Sequence, residues 1–113
     1  MISENYLNEE RFALAFAGGK FRIKHWGRIK IKLALKKHGV SEKCIQKGLN
    51  SIEQKDYIKV LRAQLDKKIK LTKGNDRRKT FYSVLKHLVA KGFESDLVIE
   101  ELNVILDLKN EGL

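Results

Sequence analysis

The segment Arg28-Ile29-Lys30-Ile31-Lys32-Leu33-Ala34-Leu35-Lys36-Lys37-His38-Gly39 decides the fold of this chain. Its first half alternates charged and apolar residues, which is a strand pattern. A strand needs a partner, because an unpaired one leaves its backbone N–H and C=O groups without bonds. No second convincing strand exists in the sequence. The second half, Leu33 to Lys37, is built of strong helix formers and closes on Gly39, a favoured residue just past a helix end. The segment therefore reads as a helix, with Ile31 and Leu35 on one face. Ile29 and Leu33 then form a second apolar face that needs another contact.

Working outward, the rest of the chain also reads as helix. It contains no proline in 113 residues. Upstream, Asn8 is placed to cap a first helix, with Glu9 and Glu10 favouring its positive end. Phe12, Ala15, Phe16 and Ile23 continue it as one apolar stripe. Gly18 and Gly19 mark either an early helix end or the close approach of another helix. Downstream, Ser41 caps a short helix carrying Ile45, Leu49 and Ile52. Tyr57, Ile58, Leu61, Leu65 and Ile69 define a long fourth helix. Lys73-Gly74-Asn75-Asp76 is a turn and cap. Phe81, Val84, Leu85, Leu88 and Val89 form a fifth helix, closed by Lys91-Gly92. A sixth starts at Glu94 or Ser95 and carries Val98, Leu102 and Ile105.

These elements repeat. Setting Gly39 against Gly92, an offset of 53, aligns Val40 with Phe93, Ile45 with Val98, Leu49 with Leu102 and Ile52 with Ile105. Backwards, Leu35 meets Leu88 and Ile31 meets Val84. Apolar positions in register across three segments imply one supersecondary unit used twice. The expected fold is all-α: tandem three-helix repeats stacked side by side, residues 1–53 and 54–113, each burying the face the other leaves over.

The net charge is +10, from 24 Lys plus Arg against 14 Asp plus Glu. It is unevenly placed. Positions 20–37 hold eight cations and no acid, 67–79 hold seven cations against Asp76, and 94–107 hold five acids and no Lys or Arg. Each run alone reads as a solvated helix face; two runs in corresponding places point to a polyanionic partner. Lys20, Arg22, Lys24, Arg28, Lys30 and Lys32 in the first run, and Lys67, Lys68, Arg77 and Arg78 in the second, are the candidate partner- or DNA-binding residues. Trp26 lies among them and reads first as a packed hinge between helices, second as a stacking platform for a base.

Catalysis and cofactors find no support. The single cysteine, Cys44, rules out an internal disulfide framework and reads as a small buried hydrophobe. His25, His38 and His87 are scattered without ligand spacing, so no metal site is expected. Gly18-Gly19-Lys20 lacks the remaining residues of a phosphate-binding P-loop. No nucleophile–base pair is evident, and no small-molecule substrate is expected. Arg11 reads as a local ion-pair partner of Glu9 and Glu10. Phe12, Phe16, Leu61, Leu65, Phe81 and Leu85 read as core. The longest apolar run, Phe12–Ala17, is too short to span a membrane, and the first residues lack secretory-signal character. A reduced, cytoplasmic setting is the expectation.

The run Tyr6-Leu7-Asn8-Glu9-Glu10-Arg11-Phe12-Ala13, with Trp26-Gly27, Ile31, Leu35, Gly39-Val40, Ile45 and Leu49, resembles the middle unit of RecX, a family of small bacterial modulators of the RecA recombinase. Lys67-Lys68, Lys79, Lys91-Gly92-Phe93, Val98 and Leu102 are similar to that family's last unit. RecX members usually carry three units, so a first unit is expected to be missing. The family often has proline where Arg28 stands, aspartate where Glu9 stands, and a basic stretch where Gly18-Gly19 stands. The resemblance implies a regulatory protein, not an enzyme, that binds the RecA–DNA filament, lowers its ATP hydrolysis and strand exchange, and damps recombinational repair and the SOS response. The partners it implies are the RecA filament and, with it, single- or double-stranded DNA. The alternative from the residues themselves is a basic helical nucleic-acid-binding module unrelated to RecA.

Overall fold

The computed structural model describes the backbone of residues 2–72 and 77–111, and the side chains of 8–72 and 78–105. Among these residues the chain forms α1 (Ile2–Gly19), a π-helical turn (Lys20–Lys24), α2 (Arg28–Lys37), α3 (Glu42–Asn50), α4 (Gln54–Leu71), α5 (Arg77–Ala90) and α6 (Ser95–Glu111). The expected all-α repeat is what the chain adopts. The molecule is a rod, 63 × 23 × 21 Å.

The alternating segment is helix α2. Ile31 and Leu35 are fully buried, whereas Ile29 and Leu33 remain exposed, so the second apolar face stays outside the core. The glycines that end α2 and α5 take positive φ, 79° at Gly39 and 101° at Gly92. Both positions favour glycine because a Cβ is strained there. Of the six aligned apolar pairs, every member but the part-buried Ile105 is buried. Ser41 caps α3 as expected, its Oγ accepting from the Cys44 amide. Cys44 is a buried thiol.

Four readings need correction. Asn8 lies inside α1, which begins at Ile2, and so caps nothing. Gly18 and Gly19 close the α-helical pitch of α1 without ending the helical path, which widens into the π-helical turn and closes on His25 in the left-handed region at φ 57°. That change of pitch swings Ile23 out to solvent, 76% exposed, while Phe21 packs inward. Phe12 is half exposed, and Phe16, Phe81 and Leu85 pack only at the core's edge. Glu9 and Glu10, read as local partners of Arg11, reach across to α3: Glu9 accepts the Ser41 amide, and Glu10 pairs with Lys47 at 2.9 Å. The expected turn at 73–76 lies outside the described residues.

α1 and α3 cross closely because their contact is built of small residues. Ala13 and Ala17 are fully buried, and a β-carbon on Gly48 would lie 2.9 Å from the Ala13 carbonyl oxygen. One apolar core then runs through both halves. Phe21 stacks on Tyr57 with centroids 5.8 Å apart, and Tyr57 meets Phe93 at 5.4 Å. Each such aromatic pair adds about 0.5–1.5 kcal/mol beyond area burial.

Candidate anionic-ligand interface

The first amides of a helix have no partners within it. Gly27, at the N-cap of α2, supplies no side chain to satisfy them. The second half does so instead. The Gly27 N–H donates to the Lys91 carbonyl at 2.8 Å, the Ile29 N–H to the Gly92 carbonyl at 2.9 Å, and the Arg28 N–H to the Tyr57 hydroxyl at 3.0 Å. The approach is so close that a β-carbon on Gly27 would lie 2.3 Å from the Gly92 and Phe93 backbone. The Trp26-Gly27 turn and the Lys91-Gly92 turn are thus the two lips of one seam.

This seam gathers cations. Lys20 and Lys30 both sit over the Trp26 ring, their Nζ atoms 4.9 and 4.6 Å from its centroid, with Lys20 also 5.4 Å from Phe16. Such contacts contribute roughly 0.5–1 kcal/mol each at exposed sites. The root of Lys30 rests on Gly92, whose added β-carbon would fall 2.4 Å from the Lys30 Cβ. Beyond Gly92, Lys91 opens a cleft with Gln64, Lys67, Lys68, Leu71 and His87. Burial first, then the like charges of Lys67 and Lys30, push the Lys91 ammonium below the usual lysine range. Burial, then Lys68 and Lys91, likewise push His87 down. The result is a continuous band of positive charge from Lys20 across the seam to Lys68.

Of the candidate binding residues, this band brings together Lys20, Lys30, Lys67 and Lys68. Arg28 has a different role. Its guanidinium donates to Gln54 Oε1 at 2.6 Å and pairs with Glu94 at 3.2 Å, while lying 3.8 Å over the Tyr57 ring. It is a strut inside the seam. Arg22 lines a separate cleft with Glu53 and Asp56, and Lys32 lines a groove with Glu42, Lys43 and Lys47. Lys24 is exposed on the π-helical turn, and Arg78 is exposed on the first turn of α5. The side chain of Arg77 lies outside the described residues. Trp26 has its ring engaged by two ammonium groups, which fits the packed-hinge reading.

Sequence reasoning missed Lys91 and His87. The signal available was the repeat itself: Lys91 immediately precedes the second turn glycine, and His87 lies one helical turn before Lys91. Among the described residues, no group of three metal-ligating side chains comes together, and no helix is long and apolar enough to cross a membrane.

Residues 8–49 match the family model for the second three-helix domain of RecX. Among curated proteins, the chain is 33% identical over 94 residues to a "Regulatory protein RecX" from Clostridium perfringens strain SM101, covering 81% of this chain and 43% of that protein. It is 29% identical over 111 residues to a "Regulatory protein RecX" from Halalkalibacterium halodurans, covering 98% of this chain and 41% of that one. The chain therefore spans about two-fifths of the length of these relatives. No solved structure matches it.

Proposed function

The chain belongs to the RecX family, and from that premise we propose that it is a non-catalytic regulator that docks on the RecA–DNA filament and lowers its ATP hydrolysis and strand exchange. The observation that carries this reading is the band from Lys20 through Lys30 and Lys91 to Lys67 and Lys68, which crosses the seam between the two halves of a rod. A recombination filament is a long polyanion that holds DNA phosphates in a helical groove. A rod with cations spread along it makes several weak contacts at once, and such contacts add through effective concentration. Recombinational repair and the SOS response, which both need an active filament, are then damped.

The test is RecA ATPase on single-stranded DNA with this protein titrated in at low and moderate salt. Inhibition that saturates near stoichiometric protein and weakens as salt rises is expected, because each phosphate contact adds about 0.7–0.9 to the salt slope. Unchanged hydrolysis at every salt concentration, or binding to bare DNA as tight as binding to the filament, overturns it; the latter result would favour a general nucleic-acid-binding module.

A further inference from the structure

We propose that the cleft lined by Lys67, Lys68, His87 and Lys91, and edged by Lys30, is a phosphate site for a nucleic-acid backbone, and that an occupant clamps the two halves of the molecule together. The proposal deepens the reading above and rests on it only for the expectation of a polyanionic partner.

Three observations carry it. The first is the convergence of like charge from three directions. Lys67 and Lys68 come from α4, His87 and Lys91 from α5 and its closing turn, and Lys30 from α2 across the seam. Bringing ammonium groups together in a partly dehydrated cleft costs free energy that a bound anion offsets. The second is what these cations do in the free chain. The ion pairs found among the described residues occupy Arg28, Lys36, Lys47, Arg62 and Lys70, not the lysines that line the cleft. Lys91 makes one long contact, 3.4 Å to Gln64 Oε1. The third is shape. The groups line a shallow cleft in which Lys67 and His87 are exposed. The band continues past it to Lys30 and Lys20, which suits a linear chain of phosphates. Lysine serves phosphate well as a mobile point charge, and a phosphate offers several oxygens to donors arriving from different sides.

The clamp follows from topology. Lys30 belongs to the first half and the other four groups to the second, so one strand engaging all of them adds bonds across the seam. Occupancy therefore raises the stability of the joint as well as neutralising charge.

The full chain tests this with a short fluorescent single-stranded oligodeoxynucleotide and, separately, with tripolyphosphate. Lys91→Gln and Lys67→Gln are each expected to weaken oligonucleotide binding about tenfold, the equivalent of one charged hydrogen bond, and to lower the salt slope by about 0.7. Lys43→Gln and Lys55→Gln, which remove the same charge elsewhere, should stay within about twofold. Tripolyphosphate should raise the melting temperature of the natural chain but not of Lys91→Gln. Without ligand, Lys91→Gln should melt no lower than the natural chain, because it relieves repulsion; that result also shows that the variant folds. Equal losses from all four variants, or a melting temperature that tripolyphosphate leaves unmoved, overturn the site. Equally tight binding to phosphatidylglycerol vesicles, lost in the same variants, overturns the nucleic-acid assignment. Site-specific oligonucleotide binding with no effect on RecA leaves this inference standing and sinks the proposed function; the reverse pattern does the opposite.

Discussion

The amide of Gly27 donates to the carbonyl of Lys91 across 2.8 Å, so a turn in the first half caps its helix with a turn in the second. This arrangement separates two glycines that the repeat makes equivalent. Gly39 and Gly92 both need positive φ, but a β-carbon on Gly39 meets nothing within 4 Å, while one on Gly92 would lie 2.4 Å from the Lys30 Cβ. Alanine at either position incurs about 1–2 kcal/mol of backbone strain. Alanine at Gly92 adds about 1–3 kcal/mol of overpacking. Gly27→Ala isolates that second effect, because Gly27 has an ordinary φ of −79°. Urea unfolding of the three variants should rank Gly92→Ala as the most damaging; equal losses at Gly39 and Gly92 would refute the seam.

Tyr57 joins the halves chemically as well as by packing. Its ring is fully buried, its hydroxyl accepts the Arg28 amide and donates to the Glu94 carboxylate, and burial followed by that bond to Glu94 raises its pKa well above the ordinary value. Tyr57→Phe leaves the Arg28 amide without its partner and removes one of the two bonds to Glu94, and should lose about 1–3 kcal/mol. The pH dependence has a definite sign. The folded chain holds the phenolic proton more tightly than the unfolded chain, so this contribution is complete below about pH 10. It drains away as pH rises from there towards the folded value. Melting temperatures of the natural chain and Tyr57→Phe should therefore converge above about pH 10. A gap that stays constant into strong alkali counts against the buried phenol.

Much of the architecture was legible because it is written in local rules. Gly39 and Gly92 announced helix ends, and Ile31 with Val84 and Leu35 with Leu88 announced one unit used twice. Helix α2 was recovered despite its alternating pattern, because a strand there had nothing to pair with. The seam was not legible. Periodicity reports which face of a helix is buried, not which distant turn will cap it, so Arg28 looked like one more exposed cation. Phe12 and Ile23 misled for a related reason. For Ile23 the spacing assumes a uniform helical pitch that the π-helical turn at Lys20–Lys24 breaks; for Phe12 it marks the larger side chain, while α1 buries Ala13 and Ala17 instead. Lys91 and His87 escaped because they lie outside both dense runs and join the cluster only through the fold.

Arg28 and Lys30 should therefore respond oppositely to substitution, although they are near neighbours of equal charge. Arg28 uses a planar fork to hold Gln54 and Glu94 and covers the Tyr57 ring, a combination that lysine cannot reproduce. Arg28→Lys should lose about 1–2 kcal/mol of stability while leaving the salt slope of oligonucleotide binding unchanged. Lys30→Gln should do the reverse, with stability nearly intact and the slope lower by about 0.7. A drop in slope for Arg28→Lys matching that of Lys30→Gln would return Arg28 to the contact surface.

His87 gives the cleft a dependence on mild acid. It faces Lys68 from α4 and Lys91 from the end of its own helix, with Lys67 beside them, and burial followed by these two lysines pushes its pKa below the ordinary histidine value of 6.5. The unfolded chain therefore takes up this proton first as pH falls. Stability contributed by neutral His87 is present above about pH 6.5 and declines below it, levelling once the folded imidazole also protonates. A bound phosphate reverses the local balance by favouring the imidazolium, so tripolyphosphate should bind more tightly as pH drops through the same range. The chain holds two further histidines, His25 and His38, which makes His87→Gln the necessary reference. Subtracting its melting curves from those of the natural chain, with and without tripolyphosphate between about pH 8 and 5, should leave an acid loss of stability in the free chain and an acid gain in affinity. Identical curves for the two proteins would show that His87 takes no part in either.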